Sequence, residues 1–462
     1  MRLFVNDTNF YRKALSLALP MILQGFISIG VNTTDTIMLG QFGEAQLSAA
    51  SLSNSFFSIF VILCFGIGGG AVVMTSRFWG SGDRDSIKKV ITIMLRISLS
   101  MGVLFMLVTW IMPDTILSAY TRDQEIIAYG AKYYSFLCFA FLFQSISLTA
   151  TLVLRSIGKA TIPLLASCCS FLLNIFFNWL FIFGKLGAPR LEIQGAAIGT
   201  LIARIIECAV IFGYILVVDK KVGYRIRDFF SSTGHMMPLY LRYSVPVIVS
   251  DLMLALGNNV IAVIMAQIGS SFVAANAITM VTVQICSIFS MAVAMSSSIV
   301  IGNTMGDGDK DRAQREGVTF LNISVLLGIA SGLLILLIKP VIIDYYEVTD
   351  YTKDIAVRLM NAVSFVIIFR TVGAMLTKGV LRGGGDTRFL MLADILFLWV
   401  ASIPLGALVG LVFHAGPFVV FCCLNIDQII KSIWCIVRLF RRRWMKDIHV
   451  QHTAGGEAEA VA

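Results

Sequence analysis

Histidine is almost missing from this chain, with four in 462 residues. His235, His414, His449 and His452 lie in loops or near the end, no HExxH occurs, and no paired aspartates face a membrane surface. A polytopic membrane hydrolase would need such groups, so that class is set aside. Charge is scarce as well, at 14% of residues against 57% hydrophobic, with a mean hydropathy of +0.85. So little polar surface cannot clothe a soluble globule of this length, and lipid must be the solvent for most side chains. The nine cysteines sit in apolar stretches and form no CxxC pair, which argues against a disulfide framework or a zinc site and for buried free thiols. No short apolar segment near Met1 ends in a small-residue cleavage site, so no cleaved leader is expected.

What the chain does have is a copy of itself. Adding 226 takes Pro20 to Pro246, Asn32 to Asn258, Gln41 to Gln267 and Gly43 to Gly269. The same shift takes Gly80-Ser81-Gly82-Asp83-Arg84-Asp85 to Gly306-Asp307-Gly308-Asp309-Lys310-Asp311. One residue out of step, Leu154-Arg155-Ser156-Ile157-Gly158 returns as Leu381-Arg382-Gly383-Gly384-Gly385. A duplicated apolar chain is the architecture of a transporter with a central site.

A spanning helix needs about 20 apolar residues. Twelve segments qualify: 14–38, 53–76, 90–112, 132–154, 162–184, 195–218, 240–266, 272–302, 316–340, 355–380, 388–411 and 416–438. The fold class is therefore all-α integral membrane, with twelve helices in two pseudo-symmetric six-helix bundles. The expected division is 1–218, a linker at 219–239, 240–440, and a tail at 441–462, small and acidic from His452 on and expected to be disordered. With the N-terminus inside, roughly 24 Lys and Arg fall in inside loops and about 7 outside, a bias that sets orientation. Both termini are expected in the cytoplasm of a multi-pass plasma-membrane protein. The net charge of +9 is then a topology signal and needs no nucleic acid to explain it.

The recurring Gly-Asp loops are not calcium loops. Counted from Asp307, positions six and twelve are Arg312 and Val318 where Gly and Glu are required. Glycines ending one helix and aspartates capping the next explain them better. The Arg382-Gly383-Gly384-Gly385-Asp386-Thr387 stretch lacks GxxxxGK[ST] and reads as a turn.

An ionisable group in the bilayer is costly and is a functional candidate by default. Arg204 with Glu207, and Asp427 with Lys431, can neutralise each other along a helix, and Arg96, Lys378 and Lys431 lie near enough to the inner face to snorkel. Asp35 has no such helical partner. By helix rise, Asn174 and Asn178 lie about 17 and 23 Å above the inner face, near the depth of Asp35, and Thr200 reaches that level from the next span. One carboxylate, two amides and a hydroxyl could hold a proton or Na⁺, the only metal ion expected; alternatively, the asparagines bond neighbouring helices. The second half carries Ile261, Ala401 and Leu405 where the repeat would place Asp35, Asn174 and Asn178. It offers Asp251 and Asn258 instead, as candidate substrate contacts or, for Asp251, a partner for a basic side chain. Gln24, Gln284 and Arg370 are further candidate substrate contacts, and Asp394 is read as structural. Pro20 and Pro404 are candidate kinks or static bends.

With these residues in view, the chain resembles the multidrug and toxic compound extrusion (MATE) family across nearly all twelve spans. The likeness rests on LALPMILQGFISIGVNTTDTIMLGQFG, LRSIGKATIP, LLNIFFNWLFIFG, QGAAIGT, the second proline segment, and GVLRGGGDTRF followed by WVASIPLG. It implies export of organic, mainly cationic amphipathic drugs in exchange for Na⁺ or H⁺ by alternating access, with no enzyme activity, no cofactor beyond the coupling ion, and a monomer in the lipid bilayer. It also implies a cation site at Asp35, Asn174, Asn178 and Thr200, with Asn178 departing from the family's usual Asp. Another branch of the family has a Glu in span seven and an Asp in span ten. Here Asp251 stands a turn earlier and Thr371 near the second position, so that site is not carried over. The alternative reading is a lipid-linked oligosaccharide flippase, which would need a strongly cationic cleft. A major-facilitator antiporter would need a basic GR-type pair after span two, and Arg77-Phe78-Trp79-Gly80 fits poorly.

Overall fold

The computed structural model describes residues 4–447 and the backbone of 451–452 and 458–459. Its order is α1 (Thr8–Gly40), α2 (Glu44–Ser81), α3 (Arg84–Ile111), a short α4 (Pro113–Ser118), α5 (Gln124–Ser156), α6 (Thr161–Phe183) and α7 (Ile193–Val218). After the linker come α8 (Met237–Ile268), α9 (Ser270–Gly306), α10 (Lys310–Tyr345), α11 (Asp350–Gly383), α12 (Thr387–Val412), α13 (Pro417–Leu424) and α14 (Ile426–Phe440). Among the described residues, eleven helices are long and apolar enough to cross a membrane, or twelve when α13 and α14, bent by 44° at Asn425, count as one span. The expected disorder of the tail falls on residues outside those described, apart from Gln451–His452 and Ala458–Glu459, which pair as antiparallel strands.

The duplicated loops do the capping expected of them. Gly82 ends α2 in the left-handed conformation at φ 78°, and the Asp83 carboxylate accepts from Ser86 N–H at the start of α3. In the second copy Gly308 takes φ 85°, and Asp309 accepts from Arg312 N–H at 2.8 Å. Each loop thus satisfies end groups that a helix leaves bare.

The chain forms two compact units, and their boundary lies away from the 219–239 linker where the sequence reading puts it. One unit holds Met1–Ala18 and Val249–His449; the other holds Leu19–Ile248, with Val450–Ala462 outside most of the described residues. α1 and α8 are therefore each divided, next to the repeat-related Pro20 and Pro246. The cause is close backbone approach at small residues. On α2, a Cβ at Gly66 would stand 2.6 Å from Ile248 Cγ1, and one at Gly70 would stand 2.5 Å from Ser244 Cα. The Tyr240 hydroxyl donates to Ile67 O at 2.8 Å and completes the seat of the first turns of α8. In the other unit Ser296 Oγ of α9, the repeat equivalent of Gly70, donates to Ala14 O of α1 at 2.8 Å.

Wide i→i+5 turns occur at the end of α7, Tyr214–Val218, and within α11 and α12 at Met375–Val380, Phe397–Ser402 and Leu408–Val412. Two of these flank Pro404, which has no N–H to give to the ladder. The expected irregularity at Pro404 is thus a local widening of α12.

Candidate cation site and buried ion networks

The residues gathered by depth in the first repeat meet inside one unit. Asn178 Nδ2 of α6 donates to Asp35 Oδ1 of α1 at 2.5 Å, and lies 3.3 Å from Asn174 Oδ1 one turn below it. Asn174 and Asn178 are 2% and 0% exposed, and Asp35 is half-buried. Thr200 stands on the facing turn of α7. Asn178 Oδ1 is a buried oxygen without a hydrogen-bond partner among the described residues, and Thr200 Oγ1 is buried beside the Tyr133 hydroxyl.

The facing of α6 and α7 comes from glycine. A Cβ at Gly195 would lie 2.5 Å from the Phe181 carbonyl carbon, and one at Gly199 would lie 3.1 Å from Asn178 Cγ and closer still to its Oδ1. The Gly195-x-x-x-Gly199 spacing puts both on one face of α7, so that the two backbones nearly touch. Those glycines lie within the QGAAIGT segment, and their spacing is the signal that would have found them. Tyr133 of α5 was not anticipated. It is 3% exposed, with its hydroxyl beside Thr200 and within electrostatic reach of Asp35 and Arg204.

Below this level runs a second polar chain. Arg204 pairs with Glu207 at 2.8 Å, as the three-residue spacing suggests. Ser167 Oγ donates to Glu207 at 3.1 Å and accepts from Gln24 Nε2 at 2.7 Å, and the Arg155 guanidinium donates to Gln24 Oε1. Gln24, a candidate substrate contact, is here a link between interior groups. Arg155, read from sequence as a loop cation, is in the last turn of α5 and only 8% exposed.

In the other unit the acids are already matched. Asp251 pairs with Lys378, and Arg382 Nη2 stands 3.9 Å away. Lys431 lies 3.1 Å from Asp394 and 3.8 Å from Asp427. Ser250 donates to Asp394 at 2.5 Å, and Ser402 to Asp427 at 3.1 Å. Arg370 is within electrostatic reach of Asp427. The snorkelling expected of Lys378 and Lys431 does not occur. Lys431 is 5% exposed because two carboxylates hold it in the interior, and Lys378 turns to Asp251 from the widened turn of α11. Asp251 takes the second role foreseen for it, that of an ion-pair partner. Asn258 and Gln284 are exposed and Arg370 is half-buried. Thr371, in place of an acid, shares a hydroxyl contact with Ser290 at 3.2 Å.

A twice-repeated membrane bundle with one partly open carboxylate and two internally neutralised networks has the build of a transporter. Comparison with known proteins agrees. The sequence profile of the MatE family matches residues 20–180 and 246–408, beginning at the two repeat prolines. The chain belongs to the MatE family, and is accordingly a transporter and not an enzyme. Among its relatives, a probable multidrug resistance protein NorM of Rhizobium meliloti is 25% identical over 86% of this chain and 85% of its own length. A probable multidrug resistance protein NorM of Thermotoga maritima is 21% identical over 94% and 93%. Among solved folds, a mutant of the Vibrio cholerae MATE transporter VcmN superposes with a TM-score of 0.86 at 16% identity, covering 95% of this chain and 98% of that one. A MOP superfamily transporter from Pyrococcus furiosus gives 0.85 at 19% identity, over 95% and 99%.

Proposed function

We propose that this chain is a multidrug efflux antiporter of the plasma membrane, exporting organic, mainly cationic amphipathic compounds by alternating access in exchange for a cation taken up at Asp35. The observation that carries the reading is the half-buried Asp35 carboxylate, tied to the amide of Asn178 and, among the described residues, to no basic side chain by ion pair. A cation drives transport only if it favours one conformation over another, and a carboxylate whose partner changes with its charge supplies that difference.

The donor set favours H⁺ over Na⁺. Hard cations want several oxygen ligands. Here Asn178 turns an N–H, and not its amide oxygen, to Asp35. For Na⁺ to bind, the Asn178 amide would have to turn over and present Oδ1, with Thr200 Oγ1 as a further oxygen. A proton needs Asp35 alone.

The flippase alternative needs uncompensated positive charge for a pyrophosphate. Arg370, Lys378, Arg382 and Lys431 do gather in one unit, but Asp251, Asp394 and Asp427 stand among them. That interleaving favours the exporter. With both termini cytoplasmic, the basic loops lie on the side from which drug is captured.

Proteoliposomes carrying ethidium, given a Na⁺ gradient or a pH gradient separately, test this. Flux driven by the pH gradient, and lost in Asp35→Asn, is expected. Flux driven by Na⁺ alone would reverse the choice of ion, and gradient-driven flux unchanged by Asp35→Asn would remove the site.

A further inference from the structure

The connection between α7 and α8 is divided by chemistry into an inner and an outer face. α7 ends at Val218 and α8 begins at Met237, so residues 219–236 leave and re-enter the bundle on one side of the membrane. The inner face docks on α3. Tyr224 is 1% exposed, with its hydroxyl 3.1 Å from Thr92 Oγ1, and Thr92 also donates to Asp228 O at 3.0 Å. Arg96 donates to Phe229 O at 3.0 Å, to Ser231 O at 2.9 Å and to Thr233 Oγ1 at 3.2 Å. Both acidic residues of the connection serve its own backbone. Asp219 accepts from Val222 N–H at 3.1 Å, and Asp228 from Arg225 N–H at 2.8 Å.

That leaves the outer face cationic and greasy together. Lys220, Lys221, Arg225 and Arg227 are exposed. Between and beside them Ile226 is 66% and Phe230 is 79% exposed, and Val217 and Val218 are bare at the end of α7. An open pocket of about 720 Å³ adjoins Phe230, lined by Arg96, Ser231, Thr233, Met237 and Leu241.

We propose that residues 219–236 form a docking surface for anionic phospholipid headgroups, the apolar side chains entering the interface and the bases meeting phosphate. Exposed Phe and Ile among Lys and Arg are the composition of a segment lying in the plane of a membrane surface. Each basic residue near an anionic surface strengthens that attachment. The place favours lipid over a soluble acidic partner: this face adjoins the terminal turn of one span and the first turn of the next, where spanning helices leave the hydrocarbon. The inference needs only that α7 and α8 cross the membrane, and stands whether or not Asp35 takes up the driving cation.

Native mass spectrometry of the full-length protein in detergent, with equal phosphatidylglycerol and phosphatidylcholine, tests it. The parent is expected to retain phosphatidylglycerol selectively. The triple variant Lys220→Gln, Lys221→Gln, Arg227→Gln is expected to lower that selectivity on the order of tenfold or more. Phe230→Ser, with the charges kept, is expected to lower retention of both lipids and leave the selectivity in place. These side chains are exposed, so an unchanged thermal unfolding midpoint confirms that both variants fold. Equal retention of the two lipids by the parent, or full selectivity in the triple variant, overturns the proposal. So does displacement of phosphatidylglycerol by an acidic peptide at concentrations that leave Phe230→Ser unaffected.

Discussion

Replacing Asn178 by Asp is the sharpest single perturbation of the candidate site. It exchanges the N–H that meets Asp35 at 2.5 Å for a second acceptor, with no change in size. Two ionised carboxylates within about 4 Å, at an effective dielectric of about 20, repel by about 4 kcal/mol. That is a bias of about three decades toward any state in which a cation sits between them. A proton can relieve the repulsion, but so can Na⁺, which the added oxygens now suit. Asn178→Asp is therefore expected to make export respond to Na⁺. In proteoliposomes with the pH gradient collapsed, an inward Na⁺ gradient is expected to drive ethidium flux through the variant and not through the parent. Isothermal titration with Na⁺ should show binding to the variant alone. A parent that binds Na⁺, or a variant whose ion preference is unchanged, would refute the assignment of the donor set.

Two further outcomes follow from packing and burial. Gly199→Ala sets a methyl against Asn178 Oδ1, which has the α6 backbone behind it. Overpacking of about 1–3 kcal/mol falling on the Asp35–Asn178 contact lowers coupled efflux by about 5- to 150-fold, and an efflux rate equal to the parent's would show that α6 gives way freely. Lys431→Met leaves Asp394 and Asp427 buried without their shared cation, at a cost of about 3–5 kcal/mol. Its unfolding midpoint should fall well below the parent's and recover in part on adding Asp394→Asn; a midpoint unmoved by Lys431→Met would show that water reaches these acids.

Much of the architecture was legible because it rests on local chemistry. Long apolar runs mark helices, and Gly82-Asp83 and Gly308-Asp309 mark their ends through capping that needs no tertiary partner. Asp35, Asn174 and Asn178 could be brought to one level by counting helix rise, since helices that must cross the same slab share a depth scale. Contacts between distant segments were not readable. The pairing of Lys378 with Asp251 joins residues 127 apart, and nothing in either helix announces the other. Tyr133 reads as one more aromatic in an apolar helix until α7 is laid against α5. The division of α1 and α8 between units was hidden because the i,i+4 spacing of Gly66 and Gly70 marks a face open to close approach without naming the helix that fills it.

The most direct test of the central claim counts protons. In weakly buffered detergent solution, drug added to the purified protein is expected to displace about one proton per molecule bound, because drug and proton favour opposite conformations. Asp35→Asn is expected to bind the drug and release none. Equal proton release by Asp35→Asn and the parent, or none from the parent at saturating drug, would contradict the account.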